Sequence, residues 1–213
     1  MSVANADGHT DLVRQSGLTV IALHVAYATA TTVGFLNLTN ADEPNSDPWF
    51  AAMEWLIILL GPPVLVLLSA LHSVSGVRRP WSLAALVLAG IAFALSAALH
   101  SVLLAVGRHH ALVSEGGLLS FTWPSAAYAI DILAWDGFFA VALLCCAMAL
   151  RATPDMGRAR WAFAFAGLAA LAGLAGPISG TMTLRNIGIV GYAVIFPVAV
   201  GLVLHAFPLR NDA

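Results

Sequence analysis

Two carboxylic acids, Asp131 and Asp136, stand inside the apolar run SAAYAIDILAWDGFFAVALL at residues 125–144. An ionised side chain at the centre of a membrane helix costs about 2.5–3.5 kcal/mol. Each acid must therefore be protonated, paired, or turned toward a polar cavity. A carboxylic acid in apolar surroundings holds its proton and can deliver it to a substrate. Glu54 in AMEWL, His100 in ALHSV and Arg185 in MTLRNI are further ionisable residues within or beside apolar stretches. Asp136, Glu54 and Asp131 are accordingly the candidate catalytic acids and bases. Trp135, Phe138 and Phe139 flank Asp136, and Trp55 flanks Glu54. Aromatic faces of this kind stabilise a developing cation. With Trp123, Tyr128, His100, Arg185 and Asn186 they make up the candidate substrate-binding set.

Each of these residues also has a plainer reading. Asp131 follows Pro124, a residue type favoured at the first helical position, so the helix dipole could stabilise it. Trp49 and Trp55 could hold Glu54 near the interface, and His100 could be a hydrogen-bonded interior histidine. Arg185 could extend outward from a helix end. Asp136 has Arg185 and His100 as its expected partners, and an Asp136–Arg185 pair could be purely structural. Five residues separate the two aspartates, roughly 140° of rotation at 3.6 residues per turn. Their carboxylates are therefore expected to face different neighbours.

The elements that carry these residues follow from composition. Of the 213 residues, 60% are hydrophobic and 9% charged, and the mean hydropathy is +0.89. Soluble domains carry about 25% charged residues, so the expected class is an all-α, polytopic transmembrane helical bundle. Six spans are expected at 17–38, 49–74, 81–106, 125–150, 160–178 and 186–207. Each approaches the roughly 20 apolar residues needed to cross a bilayer. The domain reading is a polar segment at 1–16, one six-helix domain at 17–207 and a short tail at 208–213.

Arginine placement sets the expected orientation. Arg14, Arg78, Arg79, Arg151, Arg158, Arg160 and Arg210 fall on one side, and Arg108 and Arg185 on the other. By the positive-inside rule both termini are expected in the cytoplasm. Glu54, His100, Asp131, Asp136 and Arg185 then lie in the outer half, an outward-facing polar pocket. Pro62, Pro63 and Pro197 are expected to kink the second and sixth spans. The small faces of the fifth, such as Ala169, Gly173 and Gly176, suit close helix packing. The first span adds His24, Tyr27 and Thr31 on one face, a stripe read as packing. Cys145 and Cys146 are adjacent and read as small hydrophobes. Net charge is −2 and lysine is absent, so nucleic acid is not an expected partner. No metal site is expected, and no cofactor.

The blocks FTWPSAAYAIDILAWDGFF (121–139) and MTLRNIGIVGYAVIFPV (182–198) resemble a group of bacterial six-span membrane proteins with WPS–Y–DILAWD and RNIGIxGY patterns. The resemblance covers the chain from about Asp47 onward. It implies fold, topology and a bacterial inner membrane, but no activity. The residues it matches include Trp123, Pro124, Tyr128, Asp131, Trp135, Asp136, Arg185 and Asn186. AMEWL is also similar, by analogy of chemistry, to the Glu-beside-Trp element of small integral-membrane terpene cyclases. Those proteins pair the Glu with an acid in a late span, and no acid stands in the last span here.

Four functional classes follow. The first is an intramembrane isomerase or cyclase acting on a lipophilic small molecule by acid–base chemistry. A small-solute or proton-coupled transporter is the second, although the inner half looks dry. A b-type haem module on His24, His100, His72 and His205 is the third. The last is a non-catalytic assembly or lipid-binding membrane protein. Membrane lipids are expected partners in every case.

Overall fold

A backbone inside a bilayer must satisfy its polar groups within its own segment, which favours helices along these apolar runs. The computed structural model describes residues 3–38, 47–74, 77–106 and 117–206 and is largely helical, with no strand among the described residues. Six helices are long and apolar enough to cross a membrane: His9–Leu36, Trp49–His72, Arg79–Val106, Ala126–Ala149, Pro154–Ser179 and Met182–Ala206. The whole expected tail at 208–213, and parts of three loops between expected spans, lie outside the described residues.

The first helix runs from Val3 to Leu36, so most of the expected polar segment at 1–16 continues the span. Val13, Ser16 and Val20 are buried, and their spacing places them on one face against the bundle. The second helix runs unbroken through Pro62 and Pro63. Pro197 lies two residues past a widened π turn at Gly191–Ile195. Proline clashes with the carbonyl four residues earlier, here Ala193, and a wider turn relieves that contact.

Consecutive spans pack side by side, and the first also packs on the sixth, where Gly17 lies against Leu204. The start of the first span and the end of the sixth therefore share one end of the bundle. The fourth span is central: 67% of its most apolar stretch is buried, against 22–39% for the others. Lipid tails are as apolar as leucine, so close packing holds such helices together more than burial does. Gly167 and Gly191 make that packing visible. A Cβ at Gly167 would lie 2.8 Å from the Ala140 carbonyl oxygen, and one at Gly191 would lie 2.6 Å from that of Ala166.

Candidate functional site

The fourth span begins at a defined cap. Ser125 Oγ accepts a hydrogen bond from the Tyr128 backbone N–H at 3.1 Å and donates to the Ser120 carbonyl at 2.5 Å. Ser125, rather than a helical Pro124, thus starts the helix. Asp131 lies beyond the first turn, so its stabilisation comes from side-chain partners. At the same end of the bundle Gly180, at φ 74°, closes the fifth span in the left-handed conformation. The sixth span then begins at Met182, which brings Arg185 one turn in, packed against Gly176.

Five ionisable side chains from four spans converge there. Glu54, His100, Asp131, Asp136 and Arg185 are each no more than 5% exposed. Glu54 Oε2 and His100 Nδ1 lie 2.6 Å apart, and His100 Nε2 is 3.4 Å from Asp131 Oδ1. Arg185 Nη2 donates to Asp131 Oδ2 at 2.6 Å, while its Nε donates to Asp136 Oδ2 at 3.3 Å. The result is one chain of contacts, Glu54–His100–Asp131–Arg185–Asp136.

The two aspartates share Arg185, and beyond it each keeps its own neighbour, His100 for Asp131 and the glycines Gly173 and Gly188 for Asp136. Residues Leu133–Phe139 form a π-helical segment. Its hydrogen bonds run five residues back, as from the Ala140 N–H to the Trp135 carbonyl. In that register residues five apart lie closer to one face than in an α-helix, which helps Arg185 reach both Asp131 and Asp136. Of its two expected partners Asp136 meets Arg185, whereas His100 is engaged by Glu54 and Asp131 instead.

Aromatic residues border the network unevenly. The Arg185 guanidinium carbon sits 4.5 Å above the Tyr128 ring, a cation–π contact. Phe121 lies over His100, with ring centroids 5.9 Å apart, and also packs against Tyr128. Trp123 touches Tyr128 from the partly exposed side. Trp135 is buried against Tyr192 (5.0 Å), Phe93 and Phe139.

Several expected binding residues lie elsewhere. Trp55 is 56% exposed and Asn186 is also exposed, so neither side chain is directed into the network. Phe139 is fully buried in the apolar core with Phe163 and Phe196, and half-buried Phe138 packs against that core. Sequence reasoning passed over Phe121 and Tyr192, and it read Tyr27 only as packing. Tyr27 lies within electrostatic reach of Asp131, Glu54 and Arg185. Aromatic type within a quoted block was the available signal for Phe121 and Tyr192.

The remaining histidines are engaged locally. His24 Nδ1 is 2.8 Å from the Val20 carbonyl oxygen and its ring meets Phe196 edge-on. His72 Nδ1 lies 2.7 Å from Ser82 Oγ. Cys145 and Cys146 are buried and free, as small hydrophobes would be. No group of three or more His, Cys, Asp or Glu suited to a metal ion occurs among the described residues.

The fold and the network together define a multi-pass, six-helix membrane protein with a buried ionic centre. Compared with family models, with curated proteins and with solved structures, the chain has no match in any of the three.

Proposed function

We propose that this membrane protein performs acid–base chemistry on a lipophilic substrate at the five-residue centre, as an isomerase or cyclase. The observation that carries the reading is a surplus of acid. Three carboxyl groups share two bases, Arg185 and His100, and Asp136 Oδ1 has no hydrogen-bond partner among the described residues. In a low-dielectric interior a neutral centre is strongly favoured. Two ionised carboxylates balance Arg185 and a protonated His100, which leaves the third carboxyl with a proton to give.

Asp136 is the donor in this reading. It adds its proton to a carbon–carbon double bond, and the cation so formed lies near the Trp135 and Tyr192 rings. A proton lost from a neighbouring carbon passes to the Glu54–His100–Asp131 side. The two transfers balance, so the double bond moves or a ring closes without an oxidant or reductant. Arg185 holds Asp131 and Asp136 in register. The arginine distribution supports an orientation with both termini cytoplasmic and the centre in the outer half, and the setting in this reading is a bacterial inner membrane.

A second reading, a static lock between helices, is favoured by the near-complete burial and mutual pairing of the five groups. Mass spectrometry of lipophilic molecules retained by purified wild-type and Asp136→Asn protein separates the two. The catalytic reading expects equally folded proteins, with the variant carrying an unconverted isomer of the wild type's ligand. Identical extracts from equally stable proteins would leave the lock.

A further inference from the structure

The unpartnered oxygen of Asp136 has a specific seat. Oδ2 faces Arg185, while Oδ1 is fully buried and makes no hydrogen bond among the described residues. Oδ1 points at the crossing of the fifth and sixth spans. A Cβ added at Gly173 would stand 2.9 Å from Oδ1 and 2.9 Å from the Gly188 Cα. One added at Gly188 would collide with Oδ1 itself. Both values lie below ordinary van der Waals contact, so the two glycines leave room for one carboxyl oxygen and no side chain. The Ala170 carbonyl oxygen, which accepts from the Gly173 N–H, also stands at the crossing, 3.0 and 3.1 Å from the two Cβ positions. It is an acceptor, so an ionised Oδ1 is disfavoured beside it. The other charged or titratable neighbours of Asp136 are Arg185, Asp131 and Tyr192.

Small residues at a helix crossing ordinarily need no explanation beyond packing. What distinguishes this crossing is the buried polar atom aimed into it. A carboxyl oxygen there gives up hydrogen bonding to water, at a cost that packing alone would avoid by placing an apolar side chain at position 136.

Resting on the acid–base reading above, we propose that Gly173 and Gly188 are positioning residues, whose crossing forms a notch that seats Oδ1 of Asp136 and aims Oδ2 at Arg185. The glycines touch no substrate. They fix the direction of the acid, and a methyl group at either one turns the carboxyl away from its place.

A double-substitution cycle combined with infrared spectroscopy in lipid bilayers tests this. In the cycle, Gly188→Ala and Asp136→Ala each lower the unfolding midpoint. The double variant falls no further than the worse single, because the added methyl group occupies the space the carboxyl vacated. The carboxylic-acid C=O band that disappears in Asp136→Asn shifts in Gly173→Ala and Gly188→Ala. It stays in place in Gly90→Ala, where an added Cβ meets nothing within 4 Å. If Gly188→Ala does not fold, Gly173→Ala takes its place in the cycle. Additive midpoints, or an Asp136 band unmoved by both notch variants, would overturn the notch. Absence of any Asp136 acid band in the wild type would instead overturn the proton-donor reading, and the cycle would still decide the notch.

Discussion

Toward the end of the bundle where the fourth and sixth spans begin, four helices direct Glu54, His100, Asp131, Asp136 and Arg185 at one another. Toward the other end the helices meet through Leu67, Phe139, Phe163, Phe196, Val200 and Val203, all fully buried and all apolar. The two halves hold helices together by different means. Lipid outside the dry half is as apolar as its interior, so the gain there comes from dispersion between well-packed surfaces. Such contacts are many, weak and individually replaceable. In the polar half the contacts are few and directional, and losing one strands its partner in a medium that cannot solvate it. The dry half thus fills space, while the polar half decides which helix faces which, and at what depth.

Substitutions that strike one half at a time test that contrast. Arg185→Met should have the largest effect. It leaves Asp131 and Asp136 without their shared cation, and removing one partner of a buried ion pair costs about 3–5 kcal/mol. Equilibrium unfolding in detergent would measure it, and a loss below about 1 kcal/mol would erase the distinction between the halves. Phe139→Ala comes next. Truncating a buried Phe in a water-soluble core costs about 3–5 kcal/mol. Here the expected loss is at or below about 3 kcal/mol, because the transfer part of that cost is small in lipid. A loss exceeding that of Arg185→Met would invert the comparison. Trp55→Ala should be smallest, within about 0.5 kcal/mol, since its ring faces outward beside a buried Glu54. A large fall in the same unfolding assay would mean that Trp55 shapes the polar half after all.

The six spans could be read from the sequence because length and apolarity are local properties. The gathering of acids in one half could be read for a similar reason: depth along a helix follows from residue count at 1.5 Å each. Direction around the helix was harder. Trp55 and Asn186 lie at suitable depths yet point away, which depth alone cannot reveal. That one arginine meets both Asp131 and Asp136 was hidden because the 3.6-residue period fails over Leu133–Phe139, and nothing in LAWDGFF announces the wider turn. Phe139 was drawn toward the acids by adjacency in sequence, whereas its ring belongs to the dry half. The first span's early start was masked by polar residues that flank a narrow buried stripe of Val13, Ser16 and Val20. The seat of Asp136 Oδ1 depends on two glycines of different helices, a coincidence in space that one sequence does not display.

The widened turn in the fourth span also acts as a phase slip. Asp131 before it and Asp136 within it both meet Arg185, while Phe139 at its end lies in the aromatic core. The turn absorbs the mismatch without a loop, a proline or a break in the backbone ladder. One continuous helix thereby serves the ionic centre and the packed half at once.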